Sequence, residues 1–270
     1  MSIEINSSHY AVAVNDLSEA IDTYNKVLGL EITERGENPW GNFSWAQMGF
    51  AGEQAIQLIQ PNSDDTHVKR TMQSRMHKEN PYGEGYYISV WQSEDPIAAA
   101  KHVELNGGRI IDRGDGSGVH WIHQSAAHGL FMEVVPLKDI FNGDKLLELS
   151  HLILLVNDLE IAVENFSQRF NWDRIKVSNN YLNANTQIIG NHSEQLALVD
   201  SNHPTVQMSN YIGNNVLKDD QGFYAGCWKT KSLNNFQQRL DNKGIDYVMD
   251  NGKIFLSSRI MHGINTFITE

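Results

Sequence analysis

The chain has 270 residues, 40% of them hydrophobic, enough for two compact domains that each bury a core. Its formal net charge of −12 sets nucleic acid and anionic membranes against it as partners, because both repel it at long range, and leaves small molecules. One cysteine, Cys227, excludes an internal disulfide framework. No stretch reaches the roughly 20 apolar residues of a membrane span. The opening Met-Ser-Ile-Glu-Ile-Asn has no basic segment followed by an apolar run, so a cytoplasmic protein is expected.

The first apolar run, from His9 to Val14, reads as a strand. Asp16 and Glu19 resemble a capping box, and Leu17, Ala20, Ile21, Tyr24 and Leu28 follow at helical spacing up to Gly29. Strand-like runs then occupy 42–50 and 54–60. Gly85 to Trp91 is another strand, and its helix opens near Asp95-Pro96, where proline suits the first turn, and ends at Asn106-Gly107-Gly108. Three short runs, 109–112, 120–123 and 130–135, complete this half.

After a polar segment from Leu137 to Lys145 that reads as a linker, the series begins again. His151 to Leu159 aligns without gaps to His9 to Leu17, 142 residues earlier. Asp158 caps a helix carrying Leu159, Ala162, Val163, Phe166 and Phe170 at the same spacing. Gly222 to Trp228 matches Gly85 to Trp91 and precedes a helix from Ser232, with strands at 195–199, 247–249, 254–257 and 265–269. The pattern is βαβββ four times. A single unit leaves one sheet face uncovered, so pairing units into curved sheets with outer helices is the economical solution. The expected fold is α+β, with two modules, 1–137 and 146–270.

An opening strand of form His-x-x-x-x-Val-x-Asp-Leu, a helix, and then Leu28-Gly29 resembles the vicinal oxygen chelate family, which includes glyoxalases, bleomycin-resistance proteins and extradiol dioxygenases. The segment from His123 to Pro136, with Glu133 inside it, is similar to the closing hairpin of methylmalonyl-CoA epimerases. The resemblance spans nearly the whole chain. It implies metal ligands on the first, fourth, fifth and eighth strands of a module, which here correspond to His9, Gln57 and Glu133. On the fifth strand the family's histidine is replaced by Tyr87 or, aligned through the helix, by Ile88.

Glu133 between Met132 and Val134 is the strongest of these positions, because a carboxylate on an inner strand is expensive unless paired, protonated or metal-bound. His9 and Gln57 each suit a ligand or a structural role. His151 keeps the histidine of the second module, but Gln57 aligns there with Leu198 and Glu133 with Phe267, so the site is expected in the first module alone. Histidines 120, 123 and 128 cluster near the closing hairpin, and His123 matches a position beside the substrate. Trp40, Trp45, Trp91 and Trp121 either line an aromatic pocket or pack in the core.

The resemblance implies a divalent ion (Mn, Co, Ni, Fe, Mg or Zn) and isomerase, epimerase or lyase chemistry on a small oxygenated substrate through an enediolate-type intermediate. In that reading His9, Gln57 and Glu133 hold the ion, Glu133 also moves the proton, Tyr87 positions the carbonyl, and His123 and Trp91 contact substrate. The alternative is a metal-free protein that sequesters a small molecule, as in the bleomycin-resistance branch. An extradiol dioxygenase is disfavoured, since those relatives carry iron in the second module. Exposed strand edges are compatible with a homodimer.

Overall fold

A computed structural model of the chain describes residues 4–50, 53–112, 119–137, 145–191, 193–204 and 221–270. Most of the expected linker, 138–144, lies outside the described residues.

The first module is an eight-stranded sheet built from β1 (Asn6–Ala13), β2 (Glu31–Asn38), β3 (Phe43–Phe50), β4 (Glu53–Pro61), β5 (Gly85–Ser93), β6 (Ile110–Asp112), β7 (His120–Ile122) and β8 (Met132–Pro136). Their order is β2-β3-β4-β1-β5-β8-β7-β6. The second module repeats this order with β9 (Leu147–Val156), β10 (Asp173–Tyr181), β11 (Ala184–Gly190), β12 (Leu196–Asp200), β13 (Gly222–Thr230), β14 (Val248–Asp250), β15 (Lys253–Leu256) and β16 (Asn265–Thr269). Two units meet in each sheet through one antiparallel pair, β1 with β5 and β9 with β13. The fold is therefore α+β, and all four βαβββ units form.

Each unit carries one outer helix: α1 (Leu17–Leu28), α3 (Pro96–Leu105), α4 (Leu159–Phe170) and α5 (Leu233–Asn242). Their starts are set by Asp16, Asp95, Asp158 and Ser232, each accepting a hydrogen bond from the backbone N–H three residues on. Gly29, at φ 78°, ends α1 in the left-handed conformation that glycine adopts without penalty. A further helix, α2 (His67–Gln73), capped by Thr66, lies between β4 and β5 and is not anticipated by the repeat. The polar strand β2 and the strands β10 and β11 likewise carry no strong sequence signal.

Side-chain alternation divides each sheet into two faces. The helix-covered faces of both modules merge into one core, which contains Tyr10, Val12 and Tyr86 from the first and Leu154, Phe166 and Phe223 from the second. Tyr86 stacks on Phe223 with centroids 4.3 Å apart, and Trp91 packs against Trp172 at 4.8 Å. The opposite, inner faces remain separate. In module one Ala11, Ala13, Ile59 and Ile88 are covered by Val68 and Met72 of α2, with Phe43, Trp45, Tyr87, Trp121 and Phe131 packed around them.

The two closing turns clasp the modules reciprocally. His128 donates through Nδ1 to Gln221 Oε1 and accepts at Nε2 from Asn165 Nδ2, both at 3.1 Å. Its counterpart His262 reaches back to Glu84 Oε2 at 3.0 Å and to Thr23 Oγ1 at 3.2 Å. Both histidines have φ 49° and precede a glycine with positive φ. At Gly263 a Cβ would lie 2.2 Å from the carbonyl oxygen of Glu84, so this close approach of two backbones requires glycine.

Candidate functional site

Three expected ligands do share the inner face of module one. His9 alternates with Tyr10 and Val12 of the common core and so points the other way, as do Ala11 and Ala13. Gln57 lies between core-facing Ile56 and Leu58, and Glu133 between core-facing Met132 and Val134. Ladder pairing sets their positions. His9 is opposite Val90, and Val90 is opposite Glu133, so imidazole and carboxylate share a rung two strands apart, roughly 10 Å between backbones at ordinary strand spacing. Gln57 pairs with Ala11 on the adjoining rung.

The internal two-fold of the module identifies the fifth-strand position. Ala11 pairs with both Gln57 and Ile88, while Val90 pairs with both His9 and Glu133. The residue that mirrors His9 is therefore Ile88, a buried side chain with no donor atom, and not Tyr87. A register shift between Ala11 and Val12 takes Tyr87 out of the ladder, and the bulge sends its ring to the inner face beside Ile88. Its hydroxyl is hydrogen-bonded to His67 Nδ1 of α2 at 3.1 Å. Burial, helped by the negative charge of Glu133, pushes the Tyr87 phenol up to about 12, against the pull of Arg70 and Arg75. Tyr87 thus feels both the carboxylate of the sheet and the cations of α2.

The surrounding contacts orient the ligands. His9 Nδ1 lies 3.0 Å from Ser8 Oγ, to which it donates in the tautomer that leaves Nε2 free for an ion, and Trp121 Nε1 donates to Glu133 Oε1 at 2.9 Å. Such outer partners fix imidazole and carboxylate geometry in ligand sites. Gln47 completes the group. It pairs with Gln57 in the ladder, is only 7% exposed, and its Oε1 has no hydrogen-bond partner among the described residues. Its signal in the sequence was the one that marked Gln57, a polar residue at an inward position of a strand, here following Phe43 and Trp45.

One of the two expected substrate contacts lies elsewhere. Trp91 is fully buried in the common core with Nε1 donating to Ser89 Oγ, so it faces away from the three ligands. His123 caps the turn after β7, where Nδ1 accepts from the backbone N–H of Ser125 at 3.1 Å. Burial, then Arg109, lowers its basicity. Trp40 is 97% exposed, whereas Trp45 and Trp121 do line the inner face.

The second module closes the same positions. Ladder register pairs Ala197 with Ile153, the counterpart of Ala11, so Gln57 corresponds to Ala197, and Leu198 belongs to the common core. His151 is opposite Cys227, which is opposite Phe267 in place of Glu133. Its ring is engaged on both sides, with Tyr181 Oη 2.9 Å from Nε2 and Glu194 Oε2 3.4 Å from Nδ1. Tyr181 Oη lies 3.1 Å from Cys227 Sγ. Burial opposes charge on His151, but Cys227 and Glu194 more than offset it and hold the imidazole up to about 9. These side chains sit within an apolar cluster that includes Ile153, Tyr224 and Phe267.

An ion in module one would be held by one imidazole nitrogen, the Glu133 carboxylate, and amide oxygen from Gln57, with the unpartnered Gln47 oxygen beside it. Among the described residues no group of three or more His, Cys, Asp and Glu side chains is placed to hold a metal, so the amides are necessary members. Such an oxygen-rich set fits a hard or borderline divalent ion with open positions.

The fold is that of two glyoxalase-like modules. Residues 6–118 match the family described as Glyoxalase/Bleomycin resistance protein/Dioxygenase superfamily. That match falls within the first module, and the second module repeats the same strand order. A mutant of 4-hydroxymandelate synthase from Streptomyces coelicolor aligns over 99% of this chain and 93% of its own, with TM-score 0.70 and 12% identity, a likeness of fold. Methylmalonyl-CoA epimerase from Mycobacterium tuberculosis aligns over 50% of this chain and 89% of its own, with 23% identity and TM-score 0.42. No curated protein matches the sequence. Among the described residues no helix is long and apolar enough to cross a membrane.

Proposed function

We propose that module one is a divalent-metal-dependent isomerase, epimerase or lyase acting on a small oxygenated substrate. The observation that carries this reading is the common rung of His9 and Glu133 on the face that also presents Gln57. A bound divalent ion would supply positive charge to substrate oxygens that gain negative charge as a neighbouring C–H bond is broken. His9, Gln57 and Glu133 would hold it, with Gln47 as a further oxygen donor. Glu133 takes and returns the proton at substrate carbon, and the Trp121 N–H steadies its other role as an acceptor. The Tyr87 hydroxyl, protonated at neutral pH, positions a substrate oxygen. Val68 and Met72 of α2 keep water from the apolar side of the face.

Proton abstraction can be read without knowing the product. Metal-loaded protein in D2O is expected to exchange a hydrogen on the carbon next to a carbonyl (C3 of a 2-oxo acid, C2 of a 2-methyl acid) in at least one member of a panel of such carboxylic acids, and Glu133→Gln to exchange none. Equal exchange by both proteins would remove Glu133 from the chemistry.

The apolar Ile88 at the fifth-strand position, with aromatic walls around it, favours a second reading, a metal-free binder of a small molecule. In that case chelation leaves ligand affinity unchanged.

A further inference from the structure

The segment that covers the inner face carries positive charge on a strongly acidic chain. Lys69 and Arg70 lie on α2, and Arg75 follows it, against a net charge of −12 overall. Two of these cations have partners nearby: Lys69 is 3.9 Å from Asp64, and Arg70 donates to the carbonyl of Asp65. Arg75 differs. Its backbone N–H bonds to the carbonyl of Met72, a residue of the inner-face cluster, and its guanidinium interacts electrostatically with Tyr86 and Tyr87 of β5. Its Nη1 is buried and has no hydrogen-bond partner among the described residues.

A buried guanidinium nitrogen without an acceptor is costly, and the cost falls on folding unless something outside the chain supplies the acceptor. Burial lowers the Arg75 guanidinium, while the Tyr86 and Tyr87 rings beside it raise it, and it stays charged at neutral pH. The same inner face holds the opposite deficit, the buried Gln47 oxygen without a donor. A donor lacking an acceptor near Tyr87 and an acceptor lacking a donor on the same sheet face, at β3, describe a ligand with an anionic end and a polar, hydrogen-bearing end.

We propose that Arg75 anchors a carboxylate of the small molecule that occupies the inner face of module one, so that its substrate is a carboxylic acid. This rests on the reading that the inner face is the binding site. The planar fork of arginine matches a carboxylate with two parallel N–H donors. One guanidinium balances a single negative charge, whereas a phosphate dianion would leave the second charge uncompensated near Glu133.

The test uses the full chain stripped of metal with chelator and dialysed, titrated calorimetrically at low salt with succinamate, which has one carboxylate and one amide, and with its uncharged diamide, succinamide. Saturable binding of succinamate and not of succinamide is expected. Arg75→Gln is expected to weaken succinamate at least tenfold while its melting temperature stays the same or rises, because a buried charge without a partner has been removed. A residue that merely stabilised the fold would show the reverse. Equal affinity of Arg75→Gln and wild type, or equal titration by succinamate and succinamide, would overturn the proposal. Should Arg75→Gln not fold, Arg75→Lys decides: it keeps the charge but not the fork, and undiminished affinity there is equally fatal. Binding through Arg75 in a protein that shows no metal-dependent proton exchange would count against the proposed reaction alone.

Discussion

His9 and His151 stand at the same point of the two modules, yet His9 shares its rung with Glu133 whereas His151 shares its rung with Phe267. One imidazole is set among polar side chains that an ion or substrate would complete. The other is completed by the chain itself, through Tyr181, Cys227 and Glu194. The same starting strand therefore turns its histidine towards other polar side chains in one module and into a closed hydrogen-bonded cluster in the other.

That difference has a pH signature. The His151 imidazole is raised from 6.5 to about 9 in the folded protein. Its contribution to stability is fully present below pH 6.5 and is lost as the pH rises through 9. The loss is on the order of 3 kcal/mol at most. Urea denaturation across this window should show falling stability, and Glu194→Gln should flatten the curve. A flat curve in the wild-type protein would contradict a charged His151.

The clasp at His128 runs in the opposite direction. Burial lowers its pKa below the usual 6.5 despite the bond to Gln221, and Nε2 must stay unprotonated to accept from Asn165. Its stabilising effect is present above pH 6.5 and lost as the pH falls through the depressed folded value. Thermal melts between pH 7 and 5 should fall more steeply for wild type than for His128→Ala.

Trp91 packs on Trp172 in the shared core and has no exposed surface. Trp91→Ala should cost about 3–5 kcal/mol in denaturant unfolding, the range for losing a large buried aromatic ring. Metal content per folded chain should not change. Loss of metal at intact stability would instead return Trp91 to the site.

Glu133 and Tyr87 are coupled through charge. Removing the carboxylate with Glu133→Gln should lower the Tyr87 phenol from about 12 towards its ordinary 10.0. Titration of ring-labelled tyrosine by NMR, with Tyr87→Phe for assignment, reads this directly. An unmoved titration would place the carboxylate out of reach of the phenol.

Much of the architecture was legible because helix caps and apolar spacing repeat along the chain. Asp16, Asp95, Asp158 and Ser232 mark all four outer helices, and the His9 and His151 strands mark the two modules. The faces of His9, Gln57 and Glu133 followed from alternation. Strand register did not, because bulges shift it by one residue without leaving a mark in composition. The bulge at Tyr87 is why Ile88 mirrors His9, and a similar one-residue slip separates Ala197 from Leu198 as the partner of Gln57. Trp91 was ambiguous for the same reason, since an aromatic strand residue suits either face until its register is known. The helix α2 lies outside the repeat, so the cations over the site had no counterpart to reveal them.

The central claim is that module one holds a divalent ion through His9, Gln57 and Glu133, and the most direct measurement is metal content. Protein purified without a histidine tag, reconstituted separately with each candidate ion and desalted, should retain close to one ion per chain with at least one of them by elemental analysis. Glu133→Ala and His9→Ala should retain little, and His151→Ala should match wild type. Substoichiometric metal in the wild-type protein with every ion, or undiminished metal in Glu133→Ala, would contradict it.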